Sequence, residues 1–336
     1  MSPYEHDIAE VTTTENIHKS FEKSISEKIP FMLFRVPGKE VELADLGDQT
    51  EFLIKPWNSE AFSIRTIRTF KKASFPAETS KADYEEAFKK YMSAFQLGSL
   101  QKAILSTVIL EEKPQNFDPV GFFFRLCESH PDAFTYLLYH PETGTWCGAT
   151  PEILLEGKGD QFATVALAGT QSAKASKEYE WEEKEKEEQE LVSQHIRNIL
   201  KNSEVQEINE STPSTIQAAD VVHLKTAFQF KYSHEVKPLL DQLHPTPAVA
   251  GLPTEESIVL IHATEKHDRG LYTGYIGILS EAETRVFVNL RCMQIGDKNL
   301  ALYVGGGITA KSNMEAEWEE TRLKAKTLLN LLKSST

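Results

Sequence analysis

Four glutamates in the chain fall in two pairs at helical spacing, Glu185 with Glu188 and Glu317 with Glu320. Residues three apart on a helix share a face, so each pair would present two carboxylates together. Two such pairs suit a hard divalent cation such as Mg²⁺, which takes a few carboxylates and keeps water or substrate oxygens in its other positions. A solvated charged face competes with that reading, most of all for the first pair, whose surroundings read EYEWEEKEKEEQE. Trp318, between the second pair, predicts a partly buried helix there.

The second pair follows three glycines, Gly305, Gly306 and Gly307, in 304-VGGGITAKSNMEAEWEET-321. Ser312 followed by Glu315 has the spacing of a capping box and predicts a helix start just after a glycine loop. Ala310 stands where a phosphate loop needs glycine, and a dinucleotide fingerprint is absent too. The glycines instead permit close backbone approach to an organic anion such as a carboxylate.

Three further side chains could act on such an anion. Lys102 opens the apolar run 102-KAILSTVIL-110, as an edge residue or as an amine able to serve as general base once desolvated. Glu152, in 149-ATPEILL-155, enters another apolar run, where a carboxyl has a raised pKa and could donate a proton. Arg291 lies in 285-RVFVNLRCMQI-295, read as one strand with Val286, Val288 and Leu290 on the face opposite it. A carboxylate is its usual bidentate partner, from a ligand or from an internal acid.

The elements that must position these residues mix without a steady strand–helix rhythm. A helix is expected over 83–98, with Tyr84, Phe88, Tyr91, Met92 and Phe95 on one stripe and Gly98 at its end. Others are expected near 118–130, over 177–200 and from about 313 to 333. Strand signals stand at 31–36, 41–46, 102–110, 135–139, 275–280, 285–295 and 300–304, and 152–167 reads as a hairpin turning on residues 157–160. LHPTPAVAGLP, over 243–253, reads as a rigid loop. Residues 1–20 are polar and read as frayed. The expected class is α+β, not a doubly wound sheet. One domain over 1–336 is expected, with 80–332 bearing the motifs and 1–75 less recognisable.

Composition narrows the partners. Hydrophobic content of 40% and charged content of 26% are ordinary for a globular chain with a sizeable core. A formal net charge of −14 argues against nucleic acid or an anionic membrane surface. Cys127, Cys147 and Cys292 have no metal-site spacing and fit buried thiols in a reducing compartment. No apolar stretch approaches the ~20 residues of a membrane span, and the N-terminus lacks the pattern of a signal peptide, so a cytoplasmic location is expected.

With these positions collected, the chain resembles the chorismate-utilising enzymes, a family that includes anthranilate synthase component I, aminodeoxychorismate synthase component I, salicylate synthase and isochorismate synthase. The matching text runs in order through 102-KAILS, 148-GATPEILL, 167-LAGT, 184-KEKEEQELV, 243-LHPTPAVAGLP, 269-RGLYTGYIG, 290-LRC, 304-VGGGI and 317-EWEE.

The resemblance implies the antiparallel-sheet fold of that family, flanked by helices, and chorismate as substrate. It implies Mg²⁺ held by Glu188 and Glu320, with Glu185 and Glu317 close by through water. It implies substrate contacts from Ala168, Gly169, Thr170, His244, Tyr272, Arg291 and the Gly305–Gly307 backbone. Ala168 stands where aminodeoxychorismate synthases carry an attacking lysine. Lys102 matches the lysine that activates water in isochorismate and salicylate synthases, and Glu152 matches the general acid. The PTPAVxGxP wording is closest to isochorismate synthases. The implied reaction is water addition at C2 of chorismate with loss of the C4 hydroxyl, as an isomerase. Salicylate formation with pyruvate elimination and a silent chorismate-binding protein are the alternatives. An amidotransferase subunit is not expected, and the assembly is expected to be a monomer or weak homo-oligomer.

Several positions depart from the family's pattern. Thr107 replaces a frequent arginine, Gln189 replaces the His or Asn after the metal glutamate, and Gln171 follows LAGT where arginine is common. The stretch after the first acidic pair reads SQHIRN where apolar residues are usual.

Overall fold

A computed structural model describes residues 13–43, 51–57, 62–63, 75–98, 100–172, 179–218, 221–280 and 283–333. The stretch 1–12, the tail of the expected second strand and the first residues of the expected acidic helix lie outside the described residues.

The helices are α1 (Thr14–Glu27), α2 (Lys81–Gln96), α3 (Pro119–Ser129), α4 (Glu183–Asn202), α5 (Val236–Leu243), α6 (Thr254–Thr264) and α7 (Met314–Lys333). The strands begin with β1 (Phe31–Arg35), β2 (Val41–Leu43), β3 (Glu51–Lys55), β4 (Phe62–Ser63), β5 (Lys102–Glu112) and β6 (Phe134–His140). They continue with β7 (Gly144–Thr150), β8 (Ile153–Lys158), β9 (Gln161–Ser172), β10 (Gln206–Glu210), β11 (Ser214–Ala218) and β12 (Val221–Lys231). The last are β13 (Gly251–Leu252), β14 (Tyr275–Leu279), β15 (Thr284–Val288), β16 (Cys292–Ile295) and β17 (Asn299–Ile308).

Two antiparallel sheets result. One runs β13-β5-β17-β16-β7-β6-β1-β2, and the other β10-β12-β9-β8-β15-β14-β3-β4 with β11 also on β12. Their inner faces meet through Met32, Phe34 and Tyr136 of the first sheet and Phe52, Ile276 and Phe287 of the second. Helices α1, α3 and α7 cover the outside of the first sheet. Helices α2, α4, α5 and α6 pack over the second and over the end where β5 emerges. The α+β class follows from this layering.

Side-chain alternation explains the arrangement. In β17, Leu300, Leu302 and Val304 face the helices while Ala301 and Tyr303 face the other sheet. A strand buried on both faces reads as an unbroken apolar run.

Local signals place the helix ends. The buried stripe of α2 is Tyr84, Phe88, Tyr91 and Phe95, and Ser80 Oγ accepts from the Asp83 N–H. Asp118 caps α3 ahead of Pro119. At α7 the cap is Asn313, whose Oδ1 accepts from the Ala316 N–H (3.1 Å). Ser312, expected in that role, instead donates to Glu317 and accepts from the Thr309 N–H. Helix α4 opens at Glu183, and residues 179–182 ahead of it are not helical.

The run 285–295, expected as one strand, is two. Strand β15 belongs to the second sheet and β16 to the first, and the chain crosses between them at 289–291. Arg291 takes a left-handed φ of 47° at that corner. Adjacent sheet-to-sheet crossings on β7–β8 and β15–β16 create the seam on which the site is built.

Candidate active site

The β7–β8 crossing carries Glu152 and the β15–β16 crossing carries Arg291. Because β8 pairs with β15 and β7 with β16, the two corners lie side by side. Backbone bonds stitch them: Val288 N–H donates to Glu152 O (2.8 Å) and Ala149 N–H to Arg291 O (3.2 Å). Burial pushes the Glu152 carboxyl up to about 7, against the pull of the Lys102 and Arg291 charges. Burial lowers the Arg291 guanidinium from its ordinary value, and Glu152 opposes that shift. Among the described residues no hydrogen bond or ion pair occupies this guanidinium, leaving its fork available to a ligand carboxylate.

The glycines expected as a loop lie within β17 and pair with β5, Gly305 opposite Ser106 and Gly307 opposite Ile104. On the other side β16 reaches only Tyr303, through Cys292, so the glycines form an edge there. Each glycine meets a different functional group. A Cβ on Gly305 would come 3.0 Å from Tyr272 Oη, and one on Gly307 2.6 Å from Lys102 Cε. A Cβ on Gly306 would come 3.2 Å from Glu317 Oε2 and 4.0 Å from Glu320 Oε1. Bare backbone is what lets Lys102, Tyr272 and the α7 acids approach one strand.

Lys102 Nζ also reaches across to α4, donating to Glu188 Oε1 at 2.7 Å with both side chains partly buried. Gly169 of β9, in a left-handed conformation, lies against Glu185 and Trp181. Ala168 is buried beside it, and Thr170 follows on the same strand. Tyr272 stacks on Tyr303 (5.7 Å), and burial pushes its hydroxyl pKa up.

Among the described residues His244 forms no hydrogen bond or ion pair with these groups. It caps α5, packs edge-on against Tyr275 (5.3 Å) and donates Nε2–H to Thr273 O (2.7 Å). Burial holds its pKa down to about 4, so it stands as a neutral prop behind the turn bearing Tyr272.

Two residues missed in the sequence join the site instead. His223 of β12 donates Nδ1–H to Gly169 O (3.1 Å), and its ionisation is lowered by burial, Lys324, Arg291 and Lys102. Lys324 of α7 donates to Gly305 O (2.9 Å) and pairs with Glu320 (2.8 Å). The signal for Lys324 was present, since it lies four residues beyond Glu320 on the same helical face. His223 sits in a run of alternating strand residues that marks no function.

The donor set fits a hard divalent cation. Four carboxylates from α4 and α7 stand about Gly169, Gly306 and Lys102, and the Glu185 Oε2 atom is buried with no hydrogen-bond partner. Burial and the Glu320 charge both raise the Glu317 pKa, with Ser312 opposing them. Among the described residues no three acidic, imidazole or thiol groups gather round one point. Lys102 Nζ and Lys324 Nζ hold Glu188 and Glu320.

Comparison with known proteins gives the family. A profile described as "Chorismate binding enzyme" matches residues 42–333. The chain belongs to the chorismate-binding enzyme family. It is 27% identical over 278 residues to isochorismate synthase EntC of Escherichia coli, covering 80% of this chain and 70% of that one. It is 34% identical over 238 residues to chloroplastic isochorismate synthase 2 of Arabidopsis thaliana, covering 66% of this chain and 42% of that one. The solved structure of MenF, the menaquinone-specific isochorismate synthase from Escherichia coli, superposes with a TM-score of 0.78 at 19% identity. That match covers 90% of this chain and 88% of MenF, and establishes the shared fold. No helix among the described residues is long and apolar enough to cross a membrane.

Proposed function

We propose that the protein is an isochorismate synthase, an isomerase that adds water at C2 of chorismate as the C4 hydroxyl departs. What supports this reading is that Lys102 and Arg291 both stand close enough to the buried Glu152 carboxyl for their charges to act on it, together with the resemblance that puts Ala168 where an attacking lysine would stand. Lys102 takes a proton from the incoming water. Glu152, protonated near neutral pH, gives its proton to the departing hydroxyl. Arg291 and Tyr272 bind carboxylate oxygens and fix the ring between base and acid.

Glu188 and Glu320 would hold Mg²⁺, with Glu185 and Glu317 close by through water. Bound there, the ion offsets the negative charge of the substrate carboxylate. The protein works in the cytoplasm as a monomer or weak homo-oligomer, without an amidotransferase subunit, because water and not ammonia is the nucleophile. Its product serves menaquinone or siderophore assembly; a menaquinone-specific and a vibriobactin-specific isochorismate synthase are among the similar proteins.

The test is incubation of the purified chain with chorismate and Mg²⁺, followed by separation of the products. Isochorismate with no free pyruvate is the expected outcome. Stoichiometric salicylate and pyruvate would make it a salicylate synthase, and unchanged chorismate would leave only a binding protein.

A further inference from the structure

Glu152 also forms part of the wall of a second, smaller space, enclosed between β8, β9, α4 and the loop after α5. This cavity has a volume of 20 Å³, room for about one water molecule. His195 and Thr246 line it as well. His195 Nε2 and Thr246 Oγ1 are both buried and both lack a hydrogen-bond partner. Orphaned polar atoms in a cavity of this size are what an ordered water satisfies.

The surroundings hold both groups in place. Val249 N–H (3.1 Å) and Ala250 N–H (3.0 Å) donate to Thr246 O, fixing the loop. The neighbouring hydroxyl, Thr164 Oγ1, already donates to Leu154 O (2.7 Å), so toward a water it can only accept. His195 stands seven residues after Glu188 on α4, so it shares the face turned to the sheet. The residue as a whole is partly exposed, although Nε2 is buried. It belongs to the SQHIRN stretch that departs from the apolar pattern of the family.

We propose that the cavity holds one water, bound by His195 Nε2 and Thr246 Oγ1, and that this pair returns a proton to Glu152 between turnovers. The inference rests on the acid role proposed above for Glu152. Each turnover leaves Lys102 with the proton of the attacking water and Glu152 as a carboxylate, while the old hydroxyl departs as water. Glu152 then gains a proton from the cavity water, which takes one from His195. His195 recovers a proton from solvent, and Lys102 releases one, so the balance closes. On this assignment His195 is a positioning residue that acts through the water. The charged groups facing Glu152 are Lys102 and Arg291, and neither faces the cavity.

The test uses the full chain with chorismate and Mg²⁺, and compares His195→Leu and Thr246→Val with the parent. His195→Leu should lower kcat by roughly 10-fold, a part of the 10²–10⁴-fold that a positioned acid contributes, with KM within twofold. Its solvent deuterium isotope effect on kcat should rise, and added imidazole should restore part of the rate. Thr246→Val, which keeps the shape, should lower kcat by a smaller factor. A variant with the parent's kcat and isotope effect overturns the relay, as does a loss confined to KM. A crystal structure of the parent showing the cavity dry overturns it independently of activity. An ordered water there in a chain that leaves chorismate untouched supports the site and overturns the functional reading.

Discussion

Glu152 and Arg291 sit on neighbouring corners where the chain passes from one sheet to the other, joined through Val288 N–H to Glu152 O at 2.8 Å. A fully packed strand pair would bury both side chains or expose both. A crossing does neither, because its residues belong to no ladder, and it leaves an acid and a guanidinium at the mouth of the interior.

The first prediction concerns pH. With the Glu152 carboxyl near about 7, the acid form is depleted above that pH and kcat should fall there. Between the ordinary value of 4.5 and about 7 the folded chain holds a proton that the unfolded chain has released, so stability declines as pH rises through that window. Glu152→Gln should flatten that decline in thermal unfolding while lowering kcat by ~10²–10⁴-fold. An unaltered pH–stability profile would remove Glu152 from the role.

Arg291→Ala should move the alkaline limb of the rate profile to higher pH, because the guanidinium charge holds the Glu152 pKa down. KM for chorismate should rise in the same variant, as expected of a lost carboxylate contact. A limb that stays in place would mean that the two corners are electrostatically independent in solution.

Lys102→Met should abolish water addition, with a loss of ~10²–10⁴-fold in kcat. Gly307→Ala should come close to the same result by a different route. Its new Cβ would overlap Lys102 Cε, and the flexible side chain would swing aside. Isochorismate formation measured for both, with thermal unfolding as the control for folding, separates displacement of the base from loss of the fold.

Glu188→Ala and Glu320→Ala should each remove Mg²⁺-dependent turnover. Gly306→Ala, which crowds Glu317 at 3.2 Å, should raise the Mg²⁺ concentration needed for half-maximal rate. Full turnover of the parent in excess chelator would refute the metal assignment.

A structural prediction concerns the floor of the site. Glu265 and Arg269 are fully buried, paired at 2.7 Å, and bind β5 through Ser106 N–H and Ile104 O. Arg269→Met would strand the carboxylate and should cost about 3–5 kcal/mol in denaturant unfolding. A change below about 1 kcal/mol would mean that Glu265 simply takes up a proton.

The sequence by itself determined the elements whose pattern is local. The stripe of Tyr84, Phe88, Tyr91 and Phe95 marked α2, and the acidic pairs at helical spacing marked carboxylate faces on α4 and α7. The ordered motifs around Lys102, Glu152 and Gly305–Gly307 also carried the family. Three features were decided only in the tertiary structure. The run around Arg291 read as one strand because β15 and β16 are both largely buried, so its apolar text continues through the corner without a sign of the crossing. The glycines read as a loop because sequence cannot show that β5 pairs with them. His244 and His223 are each a lone histidine beside apolar neighbours. One ended behind a turn and the other beside Gly169, because burial and strand pairing, not residue type, chose which imidazole faces the cleft.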